Sequence, residues 1–194
     1  MNRRWTKAKL ENLALEVRGE LGLGRNDPLD PYRLADEYGI PIYPIDSLPE
    51  FGCSERAIRH FAENRPKAWS VALIPVGTSR LIIENTAHAP VRRRTNTTHE
   101  MSHVLLEHDF DNLLLTDDGC RRYDPTMERQ ATELAGELLI PTKAAINAAF
   151  ANKTNAQVAS HFEVSIQFAQ MRMAGARKIA ERAIEKRTGN LASS

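Results

Sequence analysis

Two histidines that lie four positions apart, His99 and His103, are the residues of this chain best suited to chemistry, and Glu100 directly follows the first. Four residues make just over one helical turn, so on a helix both imidazoles leave the same face and can bind one metal ion. Glu100 then lies about 100° around the helix from His99, where it can accept a proton from metal-bound water without binding the metal. The pattern predicts a hydrolytic metal site; the alternative is two structural histidines on a buried helix.

A third protein ligand must come from outside this helix. Glu107 lies two turns from His99, about 12 Å along the axis, which is too far to complete one tetrahedron. The next predicted helix offers three carboxylates: Glu128, Glu133 and Glu137. Glu128 shares a helix face with the small residues Thr132 and Ala135, which permit close approach of the two helices. We therefore expect Glu128 to be the third ligand, with Glu133 as the alternative.

The elements that must position these residues form an α+β pattern. Apolar spacing predicts helices at 6–21, 31–39, 53–63, 92–108 and 125–140, followed by two or three more. Residues 40–45 alternate like a strand, but Pro41 and Pro44 confine that strand to a sheet edge. Residues 69–74 and 80–84 are rich in β-branched side chains and flank Gly77, which indicates a hairpin. The sequence thus predicts a small twisted β-sheet with a helix bearing His99, Glu100 and His103, surrounded by further helices.

Two longer motifs resemble the ImmA/IrrE family of zinc-type metallopeptidases. An arginine-rich lead at 92–98 precedes His-Glu-Met-Ser-His, and residues 128–141 read Glu-Arg-Gln-Ala-Thr-Glu-Leu-Ala-Gly-Glu-Leu-Leu-Ile-Pro. Residues 31–40 are also similar to the opening helix and strand of that family. The resemblance covers about residues 28–175.

This resemblance implies an endopeptidase in which His99, His103 and Glu128 bind Zn²⁺, or Mn²⁺ or another divalent metal, and Glu100 is the general base. It implies a protein substrate, typically a helix-turn-helix transcriptional repressor whose cleavage derepresses stress, prophage or phage-defence genes. Three departures stand out, the first being Thr95, Thr97 and Thr98, which replace mostly apolar or small residues, so that the helix start is expected to pack differently. Thr132 replaces an Asn that usually hydrogen-bonds a ligand histidine, and Glu107 replaces a frequent His, with His108 displaced by one position.

Residues near the proposed metal site suggest further roles. Cys120 lies eight residues before Glu128, and its thiolate could occupy the open metal position as an inhibitory ligand; the alternative is a small packing residue. An oxyanion donor is also needed, and Tyr123 and His161 are the candidates, although a structural role is the commoner one for such residues.

The C-terminal part follows a helix-turn-helix pattern at 154–173, with a turn at 162–164 and Ser165 as cap of the second helix. We expect a metallopeptidase domain at 1–150 and helices at 151–194 that pack on the same domain. The main alternative function is therefore a DNA-binding transcriptional regulator with a structural or vestigial metal site.

Composition excludes several classes of protein. The 194 residues are 42% hydrophobic and carry a net charge of +1, which argues against a uniformly basic nucleic-acid coat. No run of 18 apolar residues predicts a membrane span, and two cysteines, Cys53 and Cys120, favour a reducing cytoplasm. The balance hides an asymmetry: residues 100–141 hold ten acidic and three basic side chains, whereas 142–194 hold three acidic and eight basic. Nucleic acid therefore remains a candidate activating partner.

Overall fold

The structure, a computed structural model, describes residues 5–108 and 124–191, with side chains up to residue 186. It confirms the predicted α+β class. The elements, in chain order, are α1 (Lys7–Glu20), α2 (Pro31–Glu37), β1 (Ile42–Pro44), α3 (Glu55–Arg59), β2 (Val71–Val76), β3 (Ser79–Glu84), α4 (Pro90–Leu105), α5 (Pro125–Leu139), α6 (Thr142–Phe150), α7 (Asn155–Phe162) and α8 (Ile166–Leu191). Within the described residues, no helix is both long and apolar enough to cross a membrane.

The chain divides into two compact units, one comprising Met1–Leu10 and Asp30–Ala135 and the other Glu11–Leu29 and Gly136–Ser194. The first unit contains the sheet, whose strand order is β1-β3-β2. β2 and β3 form the predicted antiparallel hairpin, and Gly77 adopts a φ of 59° in its two-residue turn, a conformation that glycine accepts without steric cost. The predicted domain boundary at residue 150 stays a prediction.

The short strand β1 lies at the sheet edge, as its prolines predict, and pairs in parallel with β3. Asp30 caps the preceding helix α2 by accepting a hydrogen bond from the Tyr32 amide. After β1 the chain forms a 3₁₀ helix at Ile45–Phe51, which ends at Gly52 with a φ of 87°. The helix predicted at 53–63 begins later, as α3, and passes into a π-helical turn at His60–Asn64.

The second unit contains the predicted helix-turn-helix-like segment. Thr154 and Gln157 form a reciprocal capping box at the start of α7, and Glu163 ends that helix in the left-handed conformation. Ser165 then accepts a hydrogen bond from the Phe168 amide and so caps α8. The buried stripe of α8 consists of small or flexible apolar residues: Ala169, Met173, Ala176 and Ala180.

Two arginines of the second unit hold backbone turns. Arg18 is 1% exposed and donates to the Leu138 carbonyl, and its burial lowers the pKa of the guanidinium. Arg172 on α8 donates to the Ile140 carbonyl, 2.6 Å away, and to the Glu137 carboxylate, also 2.6 Å away. These contacts hold the backbone between the end of α5 and the start of α6.

Candidate metal centre

Helix α4 carries the His99–His103 motif and buries an unusually polar face. Pro90 occupies its first turn, where the missing N–H costs no hydrogen bond. Thr98 donates to the Arg94 carbonyl at 2.9 Å, and Ser102 donates to the Thr98 carbonyl at 2.8 Å. Because these hydroxyls bond one turn back along their own helix, α4 can pack closely without burying unsatisfied hydroxyl groups.

Glu128, the first carboxylate of helix α5, lies in the first turn of that helix. The Asp124 carboxylate accepts from the amides of Thr126, at 2.7 Å, and Met127, at 3.2 Å, and so caps the helix. Pro125 begins the helix, where its fixed φ suits the first turn. Glu128 follows with its backbone amide already bonded to the Asp124 carbonyl, so its position is set by the cap.

The structure brings His99, His103 and Glu128 together. The Nε2 atoms of the two histidines are 3.2 Å apart, and Glu128 Oε2 is 3.1 Å from His99 Nε2. The second carboxylate oxygen, Glu128 Oε1, is 3.6 Å from His103 Nε2. The His103 side chain is 0% exposed, whereas those of His99 and Glu128 are 24% and 22% exposed. The cluster is thus closed on one side and accessible on the other.

These distances fit a tetrahedral divalent metal. Metal–ligand bonds of about 2.0–2.1 Å at tetrahedral angles place neighbouring ligand atoms about 3.3 Å apart. The two histidine nitrogens are 3.2 Å apart, and the two oxygens of Glu128 lie 3.1 Å and 3.6 Å from one nitrogen each, which is close to that value. Two imidazole nitrogens and one carboxylate are also the donor set of catalytic zinc sites, which keep a fourth position for water.

The other residues considered in the sequence are not members of this cluster or lie outside the described residues. Glu133 and Glu107 are exposed and are not members of the cluster. His161 belongs to the second unit, where its Nε2 lies 2.6 Å from the Asn26 carbonyl oxygen. Cys120 and Tyr123 lie outside the described residues, so the inhibitory ligand and the tyrosine oxyanion donor stay predictions.

A buried carboxylate that spacing arguments missed lies beside α4. Glu84, at the end of β3, is 2% exposed and accepts hydrogen bonds from three side chains. The donors are the Tyr32 hydroxyl at 3.1 Å, the Arg93 guanidinium at 2.9 Å and the Thr97 hydroxyl at 2.5 Å. Burial, and then the charge and hydrogen bond of Glu84, raises the pKa of Tyr32 to about 12. We call these four residues the Glu84 brace; it joins α2, β3 and α4.

An α+β domain that carries two histidines and a glutamate on a helix beside a small sheet, with a second glutamate from the next helix, has the donor set that a metallopeptidase-type site requires. The chain belongs to one such family: residues 35–174 match Peptidase_M78, described as the IrrE N-terminal-like domain. The match spans both α4 and α5, so it includes every residue of the cluster. No curated protein matches the sequence. Family membership supports a divalent metal and a protein substrate.

Proposed function

We propose that this protein is a metal-dependent endopeptidase in which His99, His103 and Glu128 bind the metal and Glu100 is the general base. The observation that carries the proposal is the cluster of two Nε2 atoms and the Glu128 carboxylate, whose separations of 3.1, 3.2 and 3.6 Å are close to those of ligands on one tetrahedral cation. Glu100 is 8% exposed and directly follows His99 in sequence, so its side chain is largely withheld from bulk water. Zn²⁺ is the first choice of metal, and Mn²⁺ the second.

The chemistry then depends on positioned proton transfer. A bound cation would polarise the scissile carbonyl and lower the pKa of the attacking water towards about 7. Glu100 would remove the proton from the attacking water while the water oxygen bonds to the carbonyl carbon. The same carboxyl group then delivers the proton to the amide nitrogen as the carbon–nitrogen bond breaks. The Glu84 brace holds the first half of α4, which keeps the histidines and Glu100 on a fixed frame.

The proposed substrate is a helix-turn-helix transcriptional repressor in the cytoplasm. This part rests on the family resemblance, since the described residues contain no feature that selects a particular peptide. Cleavage of the repressor would release stress, prophage or phage-defence genes. The proposed regulation by Cys120 or by nucleic acid would act on this same reaction.

The central experiment replaces Glu100 with Gln. Purified wild-type and Glu100→Gln proteins are loaded with Zn²⁺ or Mn²⁺ and incubated with the helix-turn-helix protein encoded nearest to this gene. We expect the wild type to cleave it and the variant to lose at least about 10²-fold in rate, the scale of a positioned acid–base group. The two proteins should retain equal metal content and equal circular dichroism. Equal cleavage by both proteins would contradict the role of Glu100.

A parallel metal measurement tests the ligand set. Glu128→Gln should bind Zn²⁺ much more weakly than wild type, because an amide is a poorer ligand than a carboxylate. The matched control is Glu133→Gln, which removes an exposed carboxylate from the same helix and should keep wild-type affinity. If Glu128→Gln retained its affinity and Glu133→Gln lost it, the ligand assignment would be wrong.

The alternative function, a DNA-binding regulator with a structural metal site, has weaker support. Its motif is present as α7 and α8, but two of the basic residues near it are engaged within the unit. Arg172 bonds the Glu137 carboxylate, and Arg177 donates to Asn155 Oδ1 at 2.7 Å. The Glu100→Gln protein separates the two functions, since a regulator would keep its full biological activity after that substitution.

A further inference from the structure

A chain of hydrogen-bonding side chains leads away from the proposed metal site on the side of His103. While His103 Nε2 faces His99 and Glu128, its other ring nitrogen, Nδ1, lies 2.9 Å from Nδ1 of His108. The opposite nitrogen of His108, Nε2, lies 3.1 Å from Gln130 Oε1 on α5. His108 is 6% exposed. Three side chains thus form one line from the metal site to the second helix.

The end of α4 places His108 on this line. The His108 amide donates to the His103 carbonyl at 3.1 Å, and the Glu107 amide donates to the Val104 carbonyl at 3.0 Å. This pair of bonds is a Schellman motif, which needs a left-handed residue between helix and exit, and Glu107 supplies it with a φ of 52°. The motif folds the chain back over the last turn of α4. His108, which follows the helix, therefore contacts His103, whose carbonyl accepts the first bond of the motif.

The direction of the hydrogen bonds follows from the nature of the acceptor. In the arrangement in which Gln130 Oε1 faces His108 Nε2, the amide oxygen accepts, so His108 carries its proton on Nε2 and donates it to Gln130. His108 Nδ1 is then an acceptor, and His103 must donate from its own Nδ1. A neutral His103 with its proton on Nδ1 has its lone pair on Nε2, the atom that faces the proposed metal. In this assignment each imidazole has one N–H group and one lone pair, so both histidines are neutral.

We propose that His108 and Gln130 are positioning residues that fix the tautomer and ring orientation of His103 toward a divalent cation. This inference rests on the proposed function, because it assigns the same metal site. Thr132, at the position where the family resemblance implies a hydrogen-bonding Asn, is exposed. The support for the ligand histidine comes instead from Gln130 through the displaced histidine His108.

The test measures Zn²⁺ affinity of metal-free full-length protein by competition with a chromophoric chelator at one pH. Gln130→Met keeps the side-chain length but removes the acceptor, and it should weaken affinity about 10-fold or more, the scale known for groups that orient a metal ligand. Thr132→Ala is the matched control on α5 and should bind like wild type. His108→Phe should also weaken binding, whereas His108→Asn should recover part of the loss, because its amide oxygen can accept from His103 Nδ1.

Coupling between the two positions distinguishes the relay from independent packing effects. In the His108→Phe background, Gln130→Met should cause no further loss of affinity, since the route to His103 is already broken. Long-range ¹H–¹⁵N spectra of the Zn²⁺-loaded wild type should show His103 with its proton on Nδ1 and His108 with its proton on Nε2. Additive losses, or the opposite tautomer of His108, would overturn the proposal.

The outcome also separates this proposal from the proposed function. If wild type and Glu133→Gln bind Zn²⁺, Glu128→Gln does not, and Gln130→Met binds like wild type, then the relay is wrong while the metal site stands. If wild type itself binds neither Zn²⁺ nor Mn²⁺, both proposals fail. Thermal unfolding of the metal-free variants provides the folding control, because the relay predicts a loss of affinity without a matching loss of apo-protein stability.

Discussion

At the residue scale, the neighbouring polar side chains of Glu107 and His108 have entirely different environments. Glu107 is exposed in a left-handed conformation, whereas the adjacent His108 is buried against His103. Helical spacing argues against Glu107 as a metal ligand, and Glu107 is not a member of the described cluster. Spacing could not predict the fate of His108, because the direction in which a chain leaves a helix depends on the φ angle of one residue.

Glu107→Gly is expected to stabilise the end of α4. A non-glycine residue in the left-handed region costs roughly 1 kcal/mol, which glycine avoids, although glycine loses part of that gain through its greater freedom in the unfolded chain. We expect a rise in the melting temperature of up to about 2–4 °C for a protein of this size. Differential scanning calorimetry of the metal-free protein measures it, with Glu107→Val as a control that should melt at lower temperature. A lower melting temperature for the glycine variant would contradict this account of the Schellman motif.

At the scale of elements, local sequence patterns predicted individual helices and strands but did not predict the contacts between them. The metal-site helix, predicted at 92–108, is observed at Pro90–Leu105, and the hairpin and the proline-bounded edge strand are present. The parallel pairing of β1 with β3 joins Ile42 to Ile82, forty residues apart in sequence, and no spacing rule reveals such a pairing. The Glu84 brace was missed for the same reason, since its members come from three separate elements.

The Glu84 brace predicts a dependence of stability on alkaline pH. The pKa of Tyr32 is raised to about 12 in the folded protein and is about 10 in the unfolded chain, so the folded state favours the neutral phenol. The resulting stabilisation is complete below pH 10 and is lost as the pH rises through 12. Urea unfolding at pH 9 and pH 11 should therefore show a larger loss of stability for wild type than for Tyr32→Phe. An equal loss in both proteins would mean that burial and Glu84 do not raise the pKa of Tyr32 in solution.

At the scale of the whole chain, the net charge of +1 conceals an acidic middle and a basic end. The acidic middle includes Glu100 and Glu128, which suits the neighbourhood of a divalent cation. The basic end is less available than its composition suggests, because Arg172 and Arg177 bond to acceptors within their own unit. On the outer part of α8, exposed Lys178 and Arg182 alternate with two glutamates, Glu181 and Glu185, so that surface carries mixed charge.

This distribution predicts weak, unspecific contact with nucleic acid. In a helix-turn-helix reader the first exposed residues of the second helix contact bases, and here those residues are uncharged: Ile166, Gln167, Gln170 and Met171. Anisotropy titrations with the intergenic DNA beside this gene and with a single-stranded oligonucleotide should give dissociation constants no tighter than about 10⁻⁶ M at physiological salt, the unspecific range. Lys178→Glu with Arg182→Glu should weaken that binding and reduce its salt dependence, whereas Gln167→Ala should leave it unchanged. A dissociation constant near 10⁻⁸ M that Gln167→Ala abolishes would instead establish sequence reading by α8 and favour the regulator over the peptidase as the protein's main activity.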